Sequence, residues 1–306
     1  MTIGEHKTQF AGKAVVDWDA ELGLIDPQDR VYRIRYDQEE SWLDMLVTLL
    51  QDPQSSQLFG LIMGAWASAY NGDPSDEIAA LVEAQTQLPA LKALFIGDIV
   101  FEESEISWIQ QTNVSPLLTA YPALEHFGVR SGQGLQLGPI HHESLHSLII
   151  ETGGLDATLV RDVMASDLPA LEHLELWLGT SDYGATWALD NLAPLFEERL
   201  FPKLRYLGLR DSEQANDIAL AISRSPLLER IKVLDLSLGT LDDLGAAALL
   251  ANPATAKLQK LDIHFHFCSE TMIDQLKTLP IELDASDSQL NADLDFDGQR
   301  YVAVGE

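Results

Sequence analysis

One six-residue phrase, L-x-x-L-x-L, returns along most of the chain and restricts what the chain can become. Copies lie at Leu91–Ile96, Leu124–Val129, Leu145–Ile150, Leu171–Leu176, Leu204–Leu209, Ile231–Leu236 and Leu258–Ile263, with an earlier one at Leu58–Met63. Between the fourth positions, from Leu61 to Leu261, the spacings are 33, 33, 21, 26, 33, 27 and 27 residues. Alternation puts positions four and six on one face of a short strand. The stretches between copies, such as Asp217–Ile222 and Leu241–Leu250, have helical spacing. A lone strand–helix unit cannot hold itself together. Its three large aliphatics contribute roughly 5–9 kcal/mol on burial, against about 1–2 kcal/mol of backbone entropy for every ordered residue. Units must therefore stack, parallel strand beside parallel strand.

The set of copies resembles leucine-rich repeat proteins over about residues 57–284, and the 26–27-residue spacings resemble the long intracellular, ribonuclease-inhibitor-like type. The chain as a whole is similar to a bacterial leucine-rich repeat family marked by a segment like Glu105-Ile106-Ser107-Trp108 and an ending like Arg300-Tyr301-Val302-Ala303-Val304. That resemblance lends a fold and no activity. It implies an α/β right-handed solenoid, or horseshoe, with a parallel concave sheet, convex helices, irregular repeats of about 21–33 residues and capped ends. One departure stands out. Where the family has asparagine at position nine, this chain has Ile99, Gly132, Gly153, Gly179, Ser212, Gly239 and His266. An asparagine ladder is absent, and left-handed turns are expected at the glycines. The 33-residue spacings imply inserts near 97–116 and 179–200, whose acidic parts, Asp98–Glu105 and Thr180–Trp187, are expected to project from the sheet edge.

The reading is of one structural domain. Residues 1–56 form an N-terminal cap, with a strand at Val31–Tyr36 and an amphipathic helix at Glu40–Leu50; repeats fill 57–284; residues 285–306 are an acidic tail. Ile281–Leu283 would add a last strand, and Tyr301–Val304 would dock as a strand or stay loose. A net charge of −29 and the lack of any basic run argue against nucleic acid and anionic membranes as partners. Cys268 is the only cysteine, which excludes an intrachain disulfide and any multi-cysteine metal site. Residues Met1–Lys7 lack a signal-peptide core, and the apolar stretch Leu58–Ala67 is too short to cross a bilayer, so a cytoplasmic location is expected.

Chemistry has few candidates. Asp262, His264, His266 and Cys268 alternate and would share one face of a straight strand, but the repeat frame puts Cys268 in the core and bends the chain before it. Asp293, Asp295 and Asp297 copy half a calcium loop, yet position twelve is Val304 rather than glutamate. The glycines from Gly132 to Gly138 are followed by Pro139 rather than a helix, so they fail as a dinucleotide loop. No cofactor, metal or enzymatic activity is expected; the alternatives are a metal-dependent or other hydrolase near Asp262, His264 and His266, and a purely structural subunit. The favoured role is protein binding. Positions three, five and seven point away from the core, which assigns a partner-binding face to Phe95, His126, Arg130, Glu151, His173, Glu175, Trp177, Tyr206, Arg210, Asp235, Asp262 and His264. Exposed Phe95, Trp177 and Tyr206 beside two arginines would anchor an interface. The acidic residues along it call for a partner with a basic or mixed-charge surface.

Overall fold

The computed structural model describes residues 3–36, 40–67, 69–197, 200–291 and 299–305. Twelve strands and eight α-helices lie among them, with a helix between most successive strands, and within each unit paired strands are consecutive in the chain. The chain divides into two compact units, Thr2–Ile150 with Ser166–Ala170, and Glu151–Ala165 with Leu171–Gly305.

The first unit opens with a short antiparallel pair, β1 (Gln9–Phe10) and β2 (Lys13–Asp17). Parallel strands β3 (Arg30–Ile34), β4 (Gly60–Met63), β5 (Ala93–Ile96) and β6 (His126–Ser131) come next, and β7 (Ser147–Thr152) straddles the boundary. Register reproduces the repeat frame: Leu61 pairs with Leu94 and Leu94 with Phe127, all fully buried. Three helices, α1 (Trp42–Gln51), α2 (Ser75–Glu83) and α3 (Ser115–Ala120), connect the strands. Helix α1 starts where Ser41 accepts a hydrogen bond from the Asp44 N–H, and it buries Trp42, Met45, Leu46 and Leu49 along one stripe.

The strand and amphipathic helix expected in residues 1–56 are β3 and α1, but two further strands precede them. β1 and β2 carry a second apolar layer on the face opposite Leu61 and Leu94. Phe10, Val31, Ile62, Ala93 and Phe95 form one buried cluster there, with Ala11, Val15, Phe59 and Ile149 packed against it.

The second unit repeats the scheme with α4 (Ala157–Met164), β8 (His173–Gly179), α5 (Ala193–Glu197), β9 (Tyr206–Ser212), α6 (Ala215–Arg224), β10 (Val233–Asp235), α7 (Asp243–Ala251), β11 (Lys260–Asp262), α8 (Glu270–Leu276) and β12 (Glu282–Asp284). Leu174, Leu207, Leu234, Leu261 and Leu283 pair in series across the parallel strands. Asp156, Asp242 and Ser269 cap α4, α7 and α8.

Three expectations need correction. The recurring left-handed residue sits at position eight, not nine: Asp211, Leu238, Phe265 and Asp287 all have φ between 54° and 67°. Of the position-nine glycines only Gly179 has a positive φ, 63°. Gly239 is required for another reason, because a Cβ there would lie 2.7 Å from the Ser212 carbonyl oxygen of the previous coil. Much of the two inserts packs inward: Asp98, Ile99 and Val100 are buried, as is Trp187, whose indole N–H donates to Leu178 O at 3.0 Å. Phe101 and Glu102 do stand out into solvent. Finally, Tyr301–Val304 docks, but as an irregular segment. Ala303 N donates to Leu238 O (2.7 Å), Val304 N to Asp211 Oδ1 (2.9 Å), and the Tyr301 ring meets Phe265 and Phe267 edge-on. The acidic half-loop at Asp293–Gly298 lies outside the described residues.

Candidate functional site

In the second unit, alternate residues of β8–β12 face away from the leucine layer and gather into a polar platform. Register places Glu175, Gly208, Asp235, Asp262 and Asp284 in one row, with His173, Tyr206, Val233, Lys260 and Glu282 in the next. Arg210, opposite Trp177, bridges the strands. It donates to Glu175 Oε1 (2.8 Å) and Ser237 Oγ (2.9 Å), lies 3.3 Å from Asp235 Oδ2, and stacks over the Trp177 ring at 5.1 Å. Tyr206 OH donates to Asp235 Oδ2 at 2.6 Å, and the His173 ring lies flat on Tyr206 with centroids 3.9 Å apart. Trp177 Nε1 donates to Glu175 Oε1 at 2.7 Å.

The electrostatics reflect burial set against pairing. Burial alone would raise the Glu175 pKa, but His173, Arg210 and Trp177 outweigh it and hold the carboxyl well below its usual range. Burial together with Glu175 and Asp235 pushes the Tyr206 hydroxyl far up, so it stays a donor. Burial would lower the Arg210 pKa, yet the same two carboxylates raise it. Along β11, Asp262 is held at about 2: burial opposes ionisation, but His264 and Lys260 more than offset it. His264 is raised, chiefly by its 2.7 Å hydrogen bond to Asp262 Oδ1.

Of the residues expected on an open partner-binding face, His173, Tyr206, Arg210 and His264 are partly exposed, as is His126 in the first unit. Phe95, Arg130, Glu151, Glu175, Trp177, Asp235 and Asp262 are buried. Phe95 is covered because β1 brings the Phe10 ring edge-on at 5.6 Å and Lys7 lies over its face at 4.4 Å. Gly128 next to it leaves the room the ring needs, since a Cβ there would lie 2.2 Å from Phe95 Cδ2. Trp177 is 8% exposed beneath Arg210, so it supports the platform rather than offering itself to a partner.

Arg130 belongs to another group, in the first unit, that sequence reasoning missed. Asp98, fully buried, accepts from Arg33 Nη1 at 2.8 Å and from the Lys7 N–H at 3.2 Å, with Arg130 Nη1 at 3.6 Å from Oδ1. Burial alone would raise its pKa; His6, Arg130 and Arg33 hold it well below the usual range. A single acid in an insert gives no sequence signal for this, because its partners come from residues 6, 33 and 130. The group ties the N-terminal segment to β3 and β6.

The strand of alternating ligands breaks up where the frame bends it. The left-handed Phe265 separates Asp262 and His264 from His266 and Cys268. His266 Nε2 reaches Ala285 O at 3.1 Å, and its Nδ1 accepts the Cys268 N–H at 3.0 Å. Cys268 is buried, with its thiol pushed up to about 12 mainly by burial. In place of those two residues, register brings Asp284 of β12 beside Asp262 and His264.

One strand per coil, parallel pairing along β2–β6 and again along β8–β12, and helices in most of the connections define a leucine-rich-repeat-like α/β fold. The chain belongs to the family of a Bacteroides fragilis protein of known crystal structure, determined as a structural genomics target. It is 31% identical to that protein, superposes with a TM-score of 0.79, and the match covers 89% of this chain and 76% of the other. An internalin from Listeria monocytogenes is a more distant match, at 14% identity and a TM-score of 0.39 over 84% of this chain and 71% of that one. No family model and no curated protein matches the chain. Among the described residues no helix is long and apolar enough to cross a membrane.

Proposed function

We propose that this chain is a non-enzymatic protein-interaction module whose partner binds the polar platform of the second unit. The observation that carries the reading is the Glu175–Arg210–Asp235–Tyr206 network. Its side chains are locked to one another before any partner arrives, so binding costs little side-chain entropy, while Arg210, His173, Lys260 and His264 keep part of their surface open. Tyrosine and arginine held rigidly are the residue types that dominate interface energetics. The surrounding Asp262, Glu282 and Asp284 favour a partner with basic or mixed charge. The same reading takes the coils as right-handed leucine-rich repeats of one domain and the site of action as the cytoplasm.

Val233 lies half-buried in the row between Tyr206 and Lys260. Val233→Arg would put bulk and positive charge there without removing a hydrogen bond of the network. Affinity capture from the native organism, with bound proteins identified by mass spectrometry, should lose its main partner with this variant. It should keep that partner with Leu244→Arg on the exposed side of α7. Equal capture by both variants would refute the site.

A further inference from the structure

We propose that Asp262, His264 and Asp284 form a binding site for a divalent transition-metal ion of the zinc type, in competition with the protein's own Lys260. The site lies at the β11–β12 end of the same platform, but the inference does not rest on the partner-binding role and requires no catalysis. One ligand atom from each of the three residues lies within 4.8 Å of the other two. The fold creates this proximity. β11 and β12 pair in parallel with Asp262 opposite Asp284, and His264 comes just before the chain turns at Phe265. Asp284 Oδ1 is held by the Ser286 N–H (3.2 Å) and hydroxyl (2.7 Å), and Asp262 Oδ1 by the His264 N–H (3.1 Å) and ring (2.7 Å).

A cation already occupies the neighbourhood. The Lys260 ammonium sits 3.0 Å from Asp262 Oδ2, 3.7 Å from Glu282 Oε1 and 4.0 Å from Asp284 Oδ2. Three carboxylates thus converge on one positive charge, and the His264 ring completes the donor set once zinc displaces, to solvent, the proton that it shares with Asp262 Oδ1. Lysine supplies hydrogen bonds and a single charge; a divalent ion supplies two charges and bonds to nitrogen as well. An imidazole with two carboxylates suits zinc, cobalt or nickel better than magnesium or calcium, which prefer all-oxygen shells. Zinc bonds of about 2.0–2.2 Å would draw the ligand atoms together to roughly 3.3 Å, leaving a fourth position for water. Asp284 can make that adjustment, because it lies on the last strand with 36% of its side chain exposed.

The test titrates zinc chloride into the full, tag-free chain by calorimetry near neutral pH, with cobalt absorption as a second readout. One zinc should bind per chain. His264→Ala and Asp284→Asn should each weaken binding by about tenfold or more. Lys260→Met should strengthen it by a similar factor, a gain that misfolding cannot mimic. His141→Ala, at the exposed histidine beside Asp167 and Glu143, should change nothing. Two results would overturn the site: no saturable zinc binding in either the wild type or Lys260→Met, or binding that is lost with His141→Ala and kept with His264→Ala.

Discussion

Asp211 shows how much one residue can be asked to do. It occupies the left-handed position of its coil with φ 54°, a conformation that Asp and Asn accept more readily than most residues. Its Oδ1 accepts the Val304 N–H and so pins the C-terminal segment; among the described residues its Oδ2 has no hydrogen-bond partner. Burial pushes its pKa well above the usual carboxylate value. A carboxyl whose folded pKa is raised stabilises the fold most below its unfolded pKa of about 3.9, and that contribution is lost as pH rises through the folded value. Asn keeps the acceptor, tolerates the left-handed φ and carries no charge. Asp211→Asn should therefore stabilise the protein by roughly 1–3 kcal/mol at neutral pH. The gain should shrink to near zero around pH 3–4, as read from urea unfolding across that range. A loss of stability at neutral pH would show that the ionised carboxylate is required.

At the scale of elements, the N-terminal strand pair is the least expected part of the fold. β1 contributes two residues, yet Phe10 from it closes a cluster that includes Val31, Ile62, Ala93 and Phe95. Those residues face away from the leucine layer, so without β1 they would meet water. Phe10→Ala should cost roughly 3–5 kcal/mol, because the cavity left behind is lined by strands that cannot close over it. Urea denaturation checks this, and a loss below about 1 kcal/mol would mean that β1 lies loosely on the sheet. The same contacts explain why Phe95 looks like an interface anchor in the sequence and is none in the structure. Alternation says which face a residue takes; it does not say what lies on that face.

For the molecule as a whole, charge matters more than any one ion pair. With 48 acidic residues against 19 basic ones, the folded chain repels itself. Raising ionic strength from about 0.01 M to about 0.15 M shortens the screening length from about 30 Å to about 8 Å. The melting temperature should rise by several degrees over that range, against the usual weakening of exposed salt bridges by salt. A melting temperature that falls would mean that paired contacts such as Lys92–Glu125 outweigh the net repulsion.

The repeat itself was legible from end to end. The leucines that define it pair in the expected register, because burying aliphatic side chains in stacked coils has few solutions and each copy restates the same one. The bend that dismantles the Asp262–Cys268 strand was legible too, since it recurs at one place in the frame. Contacts between residues far apart in the chain were not. Asp98 with Arg33 and Arg130, Phe10 on Phe95 and Val304 on Asp211 each join residues with no common period. Pattern in a sequence reports the faces of elements, whereas such meetings depend on how each coil is seated on the next, and only the folded chain decides that.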